Sequence, residues 1–164
     1  MGYVMLIFLD TEFTDFIDCE LISIGMISED GQHELYLERS DYPDNWCNSF
    51  VRTAVIPQLG KAGAAVTRAE LAKRLTVWFA SLPRRVEIAC DSADDWELLL
   101  DALDNHCPPN LVPKRFDLRS LIDTSVFHHA VVRYHEQHGP WHHAGHDAHA
   151  HRAGWLAWMN ANND

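Results

Sequence analysis

The sequence predicts an α/β layered domain built on a mixed, five-stranded sheet. Three short apolar segments, 3–10, 21–27 and 34–37, come first, and a turn signal separates the second from the third. From Thr67 onward, segments with helical spacing alternate with short apolar ones, the pattern of strands joined through helices. The chain has 164 residues, 47% of them hydrophobic, which is enough for a real core in one compact domain spanning 1–164.

Each element has a local reason. Val4 to Leu9 is an unbroken apolar run, as in a strand buried on both faces, and it ends at Asp10-Thr11-Glu12. Leu21 to Ile27 and Glu34 to Leu37 flank Glu29-Asp30-Gly31, so they read as a hairpin. Ser40 to Gly60 has no sustained period and reads as an irregular loop with a short helix. Thr67 followed by Glu70 is a capping-box pattern, and Leu71, Leu75, Trp78 and Phe79 recur at helical spacing until Pro83. Val86 to Cys90 is a short strand, and Ser92 or Asp94 caps a helix with Leu98, Leu99 and Leu103 on its apolar face. A last strand is expected at 116–118, then a helix over about 120–130, then a final helix from Ala144 to Met159 that carries Trp155 and Trp158.

Composition narrows the partners. The formal net charge is -11, and the only basic doublets are Arg84-Arg85 and Lys114-Arg115. A protein gripping long duplex nucleic acid needs a basic stripe, so any nucleic-acid contact here is short and metal-assisted. Cys19, Cys47, Cys90 and Cys107 have no paired spacing and are read as free thiols in a reducing cytoplasm. The apolar start lacks a basic flank and stops at Asp10, which argues against a signal core or membrane span; with Leu6 at the sixth position, Met1-Gly2 does not fit a myristoylation signal.

The chemistry begins at Asp10 and Glu12. Alternation along a strand points both side chains to one face and Thr11 to the other. Two like charges at the end of a buried strand repel and resist desolvation, and a divalent cation relieves both costs. Asp95 follows a buried strand at a helix start, with Asp94 and Asp91 as alternatives for the same place. His142 and Asp147 are five residues apart, about 140° around a helix, so they share one site only if His142 lies on the loop entering the helix. His143 competes with His142 for that role. The neighbouring histidines, His128, His129, His135, His138, His146, His149 and His151, read as a surface cluster with some spacings suited to adventitious metal.

Taken together, these residues resemble the DEDD exonuclease superfamily, in particular its histidine-containing DEDDh branch on an RNase H-like fold. The Asp-x-Glu of its first motif matches Asp10 and Glu12, the aspartate of its second matches Asp95, and His-x-Ala-x-x-Asp-Ala matches His142, Ala144, Asp147 and Ala148. The resemblance covers nearly the whole chain in order and spacing. The Asp-Thr-Glu-Phe-Thr start and Asp95-Trp96 look most like the small stand-alone 3'-5' exoribonucleases known from mycobacteria. Two positions depart from the pattern: Cys90-Asp91 stands where histidine-asparagine is common, and Asp15 where glycine often follows the first motif.

The resemblance implies a two-metal hydrolysis of single-stranded RNA, and possibly DNA, from the 3' end, with Mg²⁺ or Mn²⁺ held by Asp10, Glu12, Asp95 and Asp147. It implies His142 as general base and Phe13 and Thr14 as the pocket of the terminal nucleotide. Trp96 is either a further base contact or core. Relatives of this kind are often homodimers; no membrane partner is expected. Two other readings remain open: an HD-type phosphohydrolase, from His146-Asp147, which requires an all-helical fold, and a non-catalytic nucleic-acid-binding module.

Overall fold

A computed structural model describes residues 2–163. Six strands form one mixed sheet: β1 (Met5–Phe13), β2 (Leu21–Ser28), β3 (Glu34–Arg39), β4 (Ala65–Val66), β5 (Val86–Cys90) and β6 (Leu111–Asp117). Five α-helices accompany them: α1 (Arg68–Ser81), α2 (Ala93–Ala102), α3 (Arg119–Ile122), α4 (Ser125–His138) and α5 (Ala144–Asn162). The strand order is β4-β3-β2-β1-β5-β6. Strands β1, β2 and β3 are antiparallel neighbours, whereas β5 and β6 run parallel to β1. The sheet at the centre rules out the all-helical phosphohydrolase reading.

Three expectations need correction. The sheet has a sixth strand because the chain returning to α1 pairs two residues, Ala65 and Val66, with the edge of β3. The last strand begins at Leu111, five residues early, since parallel pairing to β5 carries the polar Lys114 and Arg115 that hide it from an apolar-run reading. The helix expected near 120–130 is split in two, and Thr124 caps the longer second piece by accepting from the Phe127 amide. Between β3 and β4 lie short turns at Asp44–Trp46, Val51–Val55 and Ile56–Gln58, as the irregular sequence there indicates. Thr67 caps α1 by accepting from the Glu70 amide; the Glu70 carboxylate pairs with Arg74 instead of closing the box.

Two cores cover the two faces of the sheet. Met5, Ile7 and Leu9 of β1 pack with Leu71, Leu75 and Phe79 of α1 and Leu98 and Leu99 of α2. Phe8 packs on the other face with Phe127 and Val131 of α4 and Ala148 and Ala150 of α5, and Trp155 lies against it. The alternation that sorts these residues also sorts the end of β1. Asp10 and Glu12 share the parity of Phe8 and turn toward α5, and Thr11 shares that of Leu9 and turns toward α2.

Gly25 sets how close α5 comes. It lies directly across from Asp10 in the β1–β2 register. A Cβ built on it would overlap the Ala144 carbonyl in the first turn of α5. Gly25→Ala therefore forces the helix start away from β1, and backbone cannot yield as a flexible side chain would. The variant should lose about 1–3 kcal/mol of stability, measured by denaturant unfolding, and should weaken divalent-ion binding along with it.

Candidate active site

Four segments meet at the C-terminal ends of β1 and β5. The end of β1 supplies Asp10 and Glu12, the turn after β5 leads into α2 and Asp95, the loop before α5 carries His142, and the first turn of α5 carries Asp147. All five line one cavity of about 310 Å³ together with Phe13. The cavity's lining includes no Lys or Arg among the described residues.

Asp95 is 3% exposed and is held from the opposite face of β1. Both the Thr11 hydroxyl, at 2.5 Å, and the Thr11 amide, at 3.1 Å, donate to its Oδ1. This is what Thr11 does with the face it was assigned: it clamps the α2 carboxylate so that it leans over the strand end. Ser92 caps α2, which turns Asp94 to the outside, where it lines a different surface depression. Asp94 is thereby removed as an alternative to Asp95, whereas Asp91 stays in the cavity.

His142 lies on the entering loop, two residues before α5, with φ of 65°. Its backbone N–H donates to Asp147 Oδ2 at 3.0 Å, so the first-turn carboxylate reaches back over the loop. One ring nitrogen of His142 and one oxygen each from Glu12 and Asp147 lie within 4.8 Å of one another. The ring is exposed and packs edge-on against Phe50 at 4.8 Å. His143 is different: it caps α5 by accepting from the His146 amide and stacks on Tyr36 at 4.6 Å. Half-buried and occupied, it does not line the cavity as His142 does.

Two expected contacts are not at the cavity. Thr14 is fully buried; its hydroxyl donates to the Asp18 carbonyl and accepts from the Glu20 amide, which closes the loop after β1. Trp96 is partly buried and packs against the α1–α2 core. Phe13 does face the cavity, edge-on to the exposed Phe16 at 5.2 Å.

Sequence reading gives three cavity residues other places: Asp91 only as an alternative to Asp95, and His135 and His151 only as members of a surface histidine cluster. His135 accepted no role because it belongs to a crowd of histidines; its partner, Asp147, is twelve positions away across the α4–α5 pair. Its Nδ1 pairs with the Gly139 carbonyl at 3.0 Å, and its Nε2 sits 3.2 Å from Asp147 Oδ1 without hydrogen-bond alignment. Among the described residues, the outer histidines form no three-ligand metal cluster.

The electrostatics are those of a site awaiting positive charge. Burial, reinforced by Asp95, Asp147 and Glu12, holds the Asp10 carboxyl well above the usual range. Burial and the charges of Asp147 and Asp95 push Glu12 up to about 8. Burial also pushes Asp95 up to about 7, against the Thr11 hydrogen bonds, and Asp147 up to about 7, against the His142 amide. Asp10 Oδ2 and Asp147 Oδ1 are buried with no hydrogen-bond partner. Orphaned carboxylate oxygens in a lining without Lys or Arg fit a divalent cation.

No protein-family model and no curated protein matches this sequence. Among solved structures, the chain is similar to a moderately thermophilic exonuclease I from Methylocaldum szegediense, with a TM-score of 0.62 and 15% identity. The match covers 99% of this chain and 42% of the other, so the chain spans less than half of that protein's length. The likeness is one of fold, and it establishes the RNase H-like α/β class expected from the motifs. No helix among the described residues is long and apolar enough to cross a membrane.

The raised carboxyls give a pH dependence with a definite sign. Unfolded, these acids titrate near 4; folded and metal-free, Glu12, Asp95 and Asp147 titrate at about 7–8. Their protonation favours the fold, so that stability is fully present below pH 4 and is lost as pH rises through 7 to 8. The chelator-treated protein should melt lower at pH 8.5 than at pH 5.5, by about 3 °C for each 1 kcal/mol lost. Saturating Mg²⁺ or Mn²⁺ should flatten that slope, a result differential scanning fluorimetry reads directly.

Proposed function

We propose that the protein is a metal-dependent 3'-5' exonuclease that removes nucleotides from the 3' end of single-stranded RNA or DNA, with His142 as general base. The observation that carries this reading is the convergence of Asp10, Glu12, Asp95 and Asp147, from three separate parts of the chain, on one cavity that His142 overlooks from a loop. The similarity to an exonuclease in fold supports it, as does the motif resemblance to the small stand-alone exoribonucleases.

Asp10, Glu12, Asp95 and Asp147 would hold two divalent ions, Mg²⁺ or Mn²⁺. When bound, such ions withdraw charge from the scissile phosphate and stabilise the attacking and leaving oxygens. The chain's own residues do the rest. Asp10 and Glu12 are fixed by the sheet, and Thr11 fixes Asp95, so the donors are set before substrate arrives. His142 takes a proton from the attacking water as its oxygen bonds to phosphorus; the bond from phosphorus to the 3' oxygen of the preceding nucleotide breaks, and that oxygen is protonated. Phe13 and Phe16 offer a stacking surface for the terminal base, a contact that works for any base and needs no basic stripe.

The net charge of -11 limits the grip on a long strand. A homodimer would let a second copy bring basic residues near the mouth; sedimentation equilibrium giving only monomer removes that part of the proposal. A cytoplasmic location completes the reading.

The test uses labelled RNA and DNA oligomers with free or blocked 3' ends, in Mg²⁺, Mn²⁺ or EDTA. Stepwise release of mononucleotides from free 3' ends only, abolished by EDTA, is the expected result. Binding without turnover would instead favour a non-catalytic module. Asp10→Ala should abolish release, and His142→Ala should slow it about 10²–10⁴-fold, with both variants still folding to a cooperatively melting domain. Wild-type turnover by the His142 variant would move the base role elsewhere.

A further inference from the structure

Asp91 and His151 are cavity residues that the proposed mechanism leaves without work. Asp91 is the first residue past β5, and His151 follows Asp147 on α5 by four positions, one turn further along the same face. One oxygen each from Asp10 and Asp91 and one ring nitrogen of His151 lie within 4.8 Å of one another. His151 is close to Asp91 without bonding to it: Nε2 to Oδ2 is 3.8 Å, beyond hydrogen-bond reach. Its other nitrogen, Nδ1, is buried with no partner, and so is Asp10 Oδ2. Leaving a buried donor or acceptor unpaired costs about 1–3 kcal/mol, and both residues that carry such an atom line the same cavity.

Hydrogen bonding within the protein does not explain this arrangement. A positively charged imidazole would pair with Asp91, yet no hydrogen bond joins the two side chains. A neutral imidazole offers a lone pair, which is the form that binds a metal ion. Two carboxylates and a neutral imidazole, all within one ion's reach, make a mixed oxygen–nitrogen ligand set.

We propose that Asp91 and His151 join Asp10 as ligands of one of the two cations, and that this position selects Mn²⁺ or a later first-row transition ion over Mg²⁺. Mg²⁺ favours oxygen donors and keeps its waters, whereas imidazole suits the transition ions. The inference rests on the metal-centre reading above and deepens it: it states which ion one end of the site prefers and which side chains make the choice.

Calorimetric titration of the metal-free protein with Mn²⁺ and with Mg²⁺, together with pulsed EPR of the Mn²⁺ complex, tests it. Wild-type protein should bind Mn²⁺ more tightly than Mg²⁺, with ¹⁴N coupling to the bound ion. His151→Gln should weaken Mn²⁺ at one position by about tenfold or more, the scale for disturbing a metal's ligand environment, leave Mg²⁺ affinity nearly unchanged and remove a ¹⁴N coupling that His142→Gln and His135→Gln retain. Asp91→Asn, which keeps the side chain's shape, should weaken Mn²⁺ similarly and guards against a folding defect in the first variant. If His151→Gln binds Mn²⁺ like the wild type with its ¹⁴N coupling intact, the proposal is wrong and the acidic metal centre stands. If wild-type protein binds neither ion, both readings fall.

Discussion

Mutual repulsion among buried carboxylates governs this structure. Asp10 stands at the end of a strand whose neighbours are apolar on both faces, and its Oδ2 is buried without a hydrogen-bond partner. Glu12, Asp95 and Asp147 are brought to it by separate elements, and each raises the cost of ionising the others. The fold nevertheless spends specific interactions on keeping them together. Thr11 clamps Asp95, the His142 amide clamps Asp147, and a glycine is placed opposite Asp10 so that α5 can approach. Such devices make sense when the cluster has a job that a positive charge completes.

The same constraint explains the acidic surface balance. Among the described residues the cavity's lining holds no Lys or Arg to offset the carboxylates. On the proposed reading, a phosphodiester would enter only after bound ions offset that charge, which would couple substrate access to ion binding. The aromatic pairs at the rim, Phe13 with Phe16 and Phe50 with His142, supply contact that does not depend on charge.

Much of this was legible in the sequence because the signals are local. A run of apolar residues ending in Asp-x-Glu fixes both the strand and the direction of its acids. The five-residue offset between His142 and Asp147 requires a loop-to-helix junction, and the structure has one, with His142 at φ of 65°. The two-residue strand β4 has no pattern to read, and β6 is masked by Lys114 and Arg115. Gly25 was within reach: an isolated glycine inside a strand marks a bulge or a close backbone approach. His135 and His151 were not, because their meaning lies in neighbours far along the chain, and Asp91 was legible only as an alternative to Asp95. Thr14 looked like a pocket residue from its place after the motif, but its hydroxyl is committed to closing a loop.

Diffraction from crystals grown with Mn²⁺, recorded for the anomalous signal of the ion, tests the central claim most directly. Two peaks in the cavity, both within bonding distance of Asp10 and one of them also of Asp147, are the predicted result. A cavity without a peak, with Asp10 and Asp147 joined to neighbouring carboxyls by shared protons, would contradict it.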